Sequence, residues 1–295
     1  MVHVEPDGAF CSGTRACASE AGIRDIMTRM TAFHLGEYSK RIGYAGTARP
    51  DLATLTALHR AHVGAIPFEN LDIQMGCTVK LDADALQAKM VRQRRGAYCF
   101  EQNSLFMLAL ESIGFAPDAR EARVRQNAGG LMRPRTHMVL TMPCEGREWL
   151  ADVGFGGDGL LEPIALDGRS IEQAGVVYRV AADDSVRVLQ RHIAGSWEDL
   201  YAFMPNPVHP IDFEVGNWFT STHPRSPFVL NLTAQCIIDD TRHTLRNLTY
   251  SITRGTAVQV QEITRQEVVP LLRDTFGLDV PEDATFRALD AKPDW

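Results

Sequence analysis

A cysteine at the start of a predicted helix is the strongest candidate for chemistry in this sequence. Apolar residues recur at helical spacing after Cys99, and Gly114 ends the pattern, as glycine commonly does at a helix C-terminus. Unpaired N–H groups and the helix dipole favour a thiolate in the first turn, and Arg94 and Arg95 add positive charge nearby. We predict that Cys99 is a nucleophile; the alternative is an ordinary buried side chain, as most free cysteines are.

A nucleophilic cysteine needs a base and a group that orients the base, and one predicted hairpin carries both. His137 and Asp152 lie on the two segments that flank residues 143–146. With a four-residue loop the two side chains are directly opposed, with Cβ atoms about 4.5–5.5 Å apart. With a two-residue loop at Glu145 and Gly146 they are diagonal neighbours on the same face. In either register the carboxylate can fix the imidazole tautomer and stabilise an imidazolium beside a thiolate.

Other candidate metal or redox residues favour structural roles. His59 and His62 share one face of a predicted helix, but no third ligand stands near them in the sequence, so we predict that they pack rather than bind metal. The six cysteines are scattered and form no Cys-x2-Cys pair, which predicts neither a zinc site nor a disulfide framework. We therefore expect no metal.

Length, composition and charge favour a soluble protein of two or three modest domains. The 295-residue chain is 45% hydrophobic and carries 30 basic and 37 acidic residues, a net charge of −7 that disfavours nucleic acid. Its apolar runs are shorter than the roughly 20 residues that a membrane helix needs, and its start lacks the pattern of a secretory signal. We expect a cytoplasmic protein with no membrane partner.

The hydrophobic period changes once along the chain. Helical spacing dominates 35–44, 51–64 and 81–92, the segment 66–71 is predicted to be a loop because Pro67 disfavours helix, and alternation dominates after Gly114. In addition to the two hairpin strands, we predict strands at 119–126, 176–181, 186–193, 197–203, 228–238, 244–253 and 257–264, and helices at 209–219 and 266–276.

The predicted parts of the chain are an N-terminal extension (1–30), a helical domain ending in the Cys99 helix (31–114), a β-barrel domain (115–208), an interdomain helix and loop (209–227) and an α/β lid domain (228–295).

Several motifs, in this order, resemble the arylamine N-acetyltransferase family. They are Arg41-Ile42-Gly43, residues 67–71 (PFENL), residues 95–103 (RGAYCFEQN), His137, residues 149–156 (WLADVGFG) and residues 221–228 (STHPRSPF). Two features depart from the family pattern: Ala97 stands where a second glycine is usual, and the N-terminus is longer by roughly 30 residues.

The resemblance implies a fold, a site and substrates. The fold would be α+β: an N-terminal helical domain, a central antiparallel β-barrel and a C-terminal α/β lid, with a papain-like cysteine catalytic core. The triad would be Cys99, His137 and Asp152, with acetyl-CoA as co-substrate and no tightly bound cofactor. The substrate-binding residues would be Phe68 and Phe155 in the acceptor pocket, and Thr136, Gly156 and Phe228 along the CoA cleft.

The predicted function is transfer of an acetyl group from acetyl-CoA to an arylamine or arylhydrazine, by a ping-pong mechanism through an acetyl-cysteine. Three alternatives remain at the level of the sequence. One is an amide synthase of a biosynthetic pathway, which takes its acyl group from a carrier protein. Another is a cysteine hydrolase, in which water resolves the acyl-enzyme. The third is a non-catalytic binding module.

Overall fold

The computed structural model describes residues 33–206, 208–255 and 257–290, so the predicted extension at 1–30 lies outside the described residues. The first part of the described chain is helical. Its helices are α1 (Leu35–Ile42), α2 (Leu52–Ala65), α3 (Leu71–Gln74), α4 (Ala83–Leu86), which continues as a π-helix (Gln87–Arg92), and α5 (Cys99–Ile113). No helix of the described chain is both long enough and apolar enough to span a membrane.

Local sequence explains where the longer helices start and stop. The Asp51 carboxylate accepts a hydrogen bond from the Thr54 N–H at 2.8 Å and caps the start of α2. Gly114 ends α5 with φ of 103°, a left-handed conformation that costs little only for glycine. The prediction that Cys99 starts a helix is confirmed, because it is the first residue of α5.

The central part is an eight-stranded antiparallel sheet with the order β5-β4-β3-β2-β9-β8-β7-β6. Its strands are β2 (Asp118–Val124), β3 (His137–Cys144), β4 (Arg147–Ala151), β5 (Ile164–Ala165), β6 (Ile171–Gln173), β7 (Val176–Asp183), β8 (Val186–Ile193) and β9 (Ser196–Phe203). Contacts between β5 and β7 bring distant parts of the sheet together into a nearly closed barrel.

The hairpin between β3 and β4 uses the shorter of the two predicted loops. Cys144 pairs with Arg147, so the loop is Glu145 and Gly146, which have φ of 48° and 75°. Two successive residues with positive φ are typical of the tight turns that match the twist of a hairpin. The four-residue loop, with His137 directly opposite Asp152, is therefore wrong, and the diagonal arrangement is correct.

The last part combines helices with a five-stranded antiparallel sheet of order β1-β10-β11-β12-β13. Its strands are β1 (Phe68–Glu69), β10 (Thr233–Ile238), β11 (Thr241–Arg246), β12 (Thr249–Arg254) and β13 (Ala257–Glu262). Its helices are α6 (Pro210–Thr222), α7 (Pro227–Leu230), α8 (Arg265–Asp274) and α9 (Arg287–Asp290).

Three predictions about these segments are wrong. The segment 244–253 is not one strand but parts of two, because Asn247 turns the chain with φ of 53° between β11 and β12. Phe228 belongs to α7 rather than to a strand. The predicted loop at 66–71 contains β1, whose hydrogen-bonding partner β10 lies far away in sequence.

The two faces of β3 contribute to different hydrophobic cores. Met138, Leu140 and Met142 pack with the helices, whereas Val139 packs inside the sheet together with residues of β7, β8 and β9. Because α5 lies against β3, the start of α5 and the start of β3 meet where these two cores join.

Candidate active site

Cys99 lies at this junction, buried but directed toward the start of β3. Only 3% of the surface of Cys99 is exposed, and its Sγ lies 3.6 Å from the carbonyl oxygen of Thr136. The Glu101 carboxylate accepts a hydrogen bond from the Tyr98 N–H at 3.3 Å, which stabilises the turn that enters α5. The thiol is thus held beside the residue that precedes His137.

His137 and Asp152 form a buried charged pair. The imidazole Nε2 lies 2.7 Å from Oδ2 of Asp152, which leaves the other ring nitrogen for Cys99. Burial disfavours the imidazolium, but the Asp152 carboxylate and the Cys99 sulphur more than offset it and raise the pKa of His137 to about 10. At neutral pH the His137 side chain is therefore an imidazolium, with a proton on both ring nitrogens.

The Asp152 carboxylate is fixed on its other side as well. Oδ1 accepts hydrogen bonds from Asn103 Nδ2 and from the Gly154 N–H, both at 2.9 Å. Burial alone would raise the pKa of Asp152, but His137 and these donors lower it below its usual value. Asn103 also donates to the Met138 carbonyl and accepts from the Val153 N–H, so one side chain of α5 joins β3 to the segment that follows β4.

Arg95, which was predicted to add positive charge near the thiol, instead forms ion pairs with two carboxylates. Arg95 Nη2 lies 2.9 Å from Oε1 of Glu69 and 3.0 Å from Oδ1 of Asp72. Lys89 connects Asp72 to Glu101, with Nζ 2.6 Å and 2.7 Å from the two carboxylates. These ion pairs join β1, α3, the π-helix and α5, and so support the loop that precedes Cys99.

Ala97, the departure from the family pattern, fits this loop without strain. It is fully buried. Its N–H donates to the Pro67 carbonyl at 3.1 Å, and its carbonyl oxygen accepts from the Glu69 N–H at 3.0 Å. Gly96 has no such room, because a Cβ there would lie 2.6 Å from Cγ of Glu69 and against the Pro67 carbonyl. The close backbone approach that requires glycine is therefore at Gly96.

Three of the predicted substrate-binding residues line one cavity next to the charged pair. Phe68, Phe155 and Gly156 line it together with Asp152. The Phe155 ring packs edge-on to His137, with 5.2 Å between ring centroids. The cavity has a volume of only about 30 Å³, so an aryl ring enters it only when the surrounding side chains move apart.

Thr136 and Phe228 do not line this cavity. Thr136 is partly exposed and presents its carbonyl oxygen to Cys99. Phe228 packs against Phe68 and Tyr98, with ring centroids 5.9 Å and 5.7 Å apart. The structure therefore separates the predicted substrate-binding residues into three that line this cavity and two that lie close to the thiol and to the loop before Cys99.

Residues of the C-terminal sheet hold the glycine-rich loop after Asp152. Gln235 of β10 accepts a hydrogen bond from the Gly157 N–H, and Arg242 of β11 donates to the carbonyls of Gly157 and Gly159. Gly156 has φ of 81°, and a Cβ there would lie 3.1 Å from Phe68 and would clash with Gln235. The C-terminal sheet thus positions the loop that carries Phe155.

No role was predicted from the sequence for Asn103, Gln235 or Arg242. Asn103 could have been found, because it lies four residues after Cys99 on the same face of α5. No sequence pattern indicated Gln235 or Arg242, because they reach the site only through the packing of the C-terminal sheet against the barrel.

Known proteins are similar to this chain in sequence and in fold. A family profile described as N-acetyltransferase matches residues 51–285. The arylamine N-acetyltransferase of Mycolicibacterium smegmatis is 39% identical over 256 residues, which cover 84% of this chain and 93% of that protein.

Solved structures extend the match to the fold. The arylamine N-acetyltransferase from Salmonella typhimurium is 32% identical, with a TM-score of 0.80 over 86% of this chain and 95% of that one. The Mycobacterium marinum enzyme, solved in complex with CoA, is 37% identical, with a TM-score of 0.80 over 83% of this chain and 93% of that one. The chain therefore belongs to the arylamine N-acetyltransferase family.

Proposed function

We propose that this protein transfers the acetyl group of acetyl-CoA to arylamines or arylhydrazines through an acetyl-Cys99 intermediate. The observation that carries the proposal is the contact of His137 with both Asp152 and Cys99 at the start of a helix. Membership of the family supports acetyl-CoA as the donor, and a relative has been solved with CoA bound.

In the first half-reaction the Cys99 thiolate attacks the carbonyl carbon of the acetyl thioester. A new C–S bond forms to Sγ, the bond between the acetyl carbon and the CoA sulphur breaks, and the His137 imidazolium protonates the departing CoA thiolate. The first N–H groups of α5 have no acceptors within the helix and are the donors that we propose for the developing oxyanion.

In the second half-reaction the amine attacks the acetyl-cysteine. Neutral His137 takes the proton that the amine loses as the C–N bond forms, and the C–S bond to Cys99 breaks. The products are the N-acetylated amine and a thiolate beside an imidazolium, the charge state in which the cycle began. Asp152 holds the imidazole in one tautomer throughout.

We propose Phe68 and Phe155 as the walls of the acceptor site, and Thr136, Gly156 and Phe228 as residues along the CoA cleft. The position of Phe155 against His137 supports this assignment, because it places an aromatic ring next to the base that deprotonates the amine. The small volume of the cavity implies that acceptor binding follows movement of these side chains.

Incubation with acetyl-CoA alone, followed by peptide mapping, tests the proposal. We expect one added acetyl group on the Cys99 peptide, no label in Cys99→Ala, and release of the label when an arylamine is added. Cys144, also buried, is the matched control: Cys144→Ala should label normally. Label on another cysteine contradicts the proposal, and rapid loss of label without amine indicates the hydrolase alternative.

A further inference from the structure

His59 of α2 contacts the backbone of Asp152 and is not used by the mechanism above. Its Nε2 lies 3.2 Å from the Asp152 backbone nitrogen, and its Nδ1 lies 3.0 Å from the Leu161 carbonyl oxygen. The side chain is fully buried, and Phe106 packs edge-on against the ring. The helix that carries His59 thus hydrogen-bonds to the end of β4 through this side chain.

The partners of His59 decide its protonation state. A backbone N–H can only donate, so Nε2 must carry a lone pair, and a carbonyl oxygen can only accept, so Nδ1 must carry the proton. An imidazolium would direct a second N–H at the Asp152 N–H and lose that hydrogen bond. Only the neutral Nδ1–H tautomer satisfies both partners.

The surroundings agree with a neutral ring. Burial lowers the pKa of His59 to about 4, although the nearby carboxylates of Asp152 and Glu162 act in the opposite direction. The other histidine of this helix, His62, lies one turn further along and binds the Tyr38 hydroxyl and Gln102 instead. Of these two histidines, His59 is the one that contacts Asp152.

We propose that His59 is a positioning residue for Asp152: by accepting the Asp152 N–H, it sets the direction in which the carboxylate meets His137. This inference rests on the proposed role of Asp152. The Asp152 peptide lies at the end of β4, beyond the last residue that pairs with β3, so the sheet does not hold it. His59 supplies the acceptor that the sheet lacks there.

A residue with a purely structural role would affect stability alone. A positioning residue must also change His137, because the raised pKa of His137 depends on the Asp152 carboxylate. Displacing a reacting group by about 1 Å costs roughly 100-fold in rate. A modest rotation of Asp152 that moves His137 should therefore cause a measurable loss of rate.

The test compares His59→Leu, which removes the acceptor, with His59→Gln, whose amide oxygen can still accept. We expect His59→Leu to shift the NMR titration of His137 down from about 10 toward its ordinary value and to slow Cys99 acetylation about 10- to 100-fold. His59→Gln should recover most of both. His62→Leu, equally buried, is the matched control: it should lower Tm and leave the His137 titration in place.

Two results overturn the proposal. One is a folded His59→Leu protein with an unchanged His137 titration and near-normal acetylation. The other, which needs no variant, is an imidazole ¹⁵N spectrum of the wild-type protein that shows His59 protonated at Nε2. If Cys99 is never acetylated, the proposed function fails, while the His59 tautomer and the His137 titration still decide the positioning role.

Discussion

His137 and Asp152 lie diagonally across the β3–β4 hairpin, yet their side chains meet with Nε2 2.7 Å from Oδ2. The register pairs Leu140 with Ala151, and its continuation by one residue places Val139 level with Asp152. Diagonal neighbours are more widely separated than opposed pairs. The contact therefore depends on how Asn103, Gly154 and His59 hold the end of β4, and not on strand pairing alone.

Asp152→Asn should preserve the fold and abolish most of the activity. The amide oxygen can still accept from Asn103 and Gly154, but its NH₂ group would face His137 and force Nε2 to act as an acceptor. The other ring nitrogen would then carry the proton and could not take one from Cys99. By analogy with serine proteases we expect a rate loss of about 10⁴-fold in single-turnover acetylation, and a near-normal rate in a folded variant would contradict the role.

The charged pair should make stability depend on pH in a defined direction. The pKa of His137 is raised from 6.5 to about 10, so its stabilising contribution is complete below pH 6.5 and is lost as the pH rises through 10. The pKa of Asp152 is lowered from 3.8, so its contribution is present above that pH and is lost in acid.

Thermal unfolding of the wild type and Asp152→Asn between pH 6.5 and 10 measures this contribution. The wild-type advantage in Tm should be largest at the lower pH and should shrink steadily toward the upper end. Parallel curves across that interval would show that the pair does not titrate as described.

Adding a methyl group at Gly96 should cost more stability than removing the methyl group of Ala97. Gly96→Ala places Cβ against Glu69 and the Pro67 carbonyl, and overpacking of this kind costs about 1–3 kcal/mol. Ala97→Gly loosens the backbone and removes one buried methyl group, each at a cost of about 0.5–1 kcal/mol, and should retain acetylation. Urea unfolding and the acetylation rate measure both, and equal effects of the two changes would contradict the assignment of the close approach to Gly96.

Phe68→Leu and Phe155→Leu should reduce the preference for aromatic over aliphatic amines. Each ring offers contacts worth about 0.5–1.5 kcal/mol to an aryl group beyond area burial. An alkylamine is mostly ammonium at neutral pH and must also lose its charge to enter an apolar cavity. The ratio of kcat/KM for an arylamine and an alkylamine is the measurement, and an unchanged ratio with lowered stability would mean that both rings are ordinary core residues.

Arg242→Met should affect the acceptor more than the donor. It frees the carbonyls of Gly157 and Gly159, so the loop that carries Phe155 is attached to the C-terminal sheet by fewer hydrogen bonds. We expect KM for the amine to rise several-fold, with little change in the rate of Cys99 acetylation. Arg246→Met, an exposed arginine on the same strand, is the control, and equal effects of the two substitutions would contradict a specific role for Arg242.

Features encoded by neighbouring residues could be predicted from the sequence. The start of α5 at Cys99 and its end at Gly114 follow from helical spacing and from the left-handed conformation open to glycine. The bounds of β8 were predicted to the residue, because turn residues flank a clear alternating run on both sides.

Features that depend on distant residues were decided by the tertiary structure. Both hairpin registers were locally acceptable, and the tight turn at Glu145 and Gly146 selected one of them. Strand β1 exists because Phe68 and Glu69 pair with β10, more than 160 residues away, which no local pattern encodes.

The site itself divides in the same way. The sequence by itself determined which side chains can act as nucleophile, base and orienting acid, because those roles depend on residue type. Only the packing of α5 against β3 brings Cys99 to His137, and only the packing of α2 against the end of β4 gives the Asp152 N–H an acceptor. Hydrogen bonds and ion pairs form over about 3 Å, and such distances between remote segments are decided when the hydrophobic cores assemble.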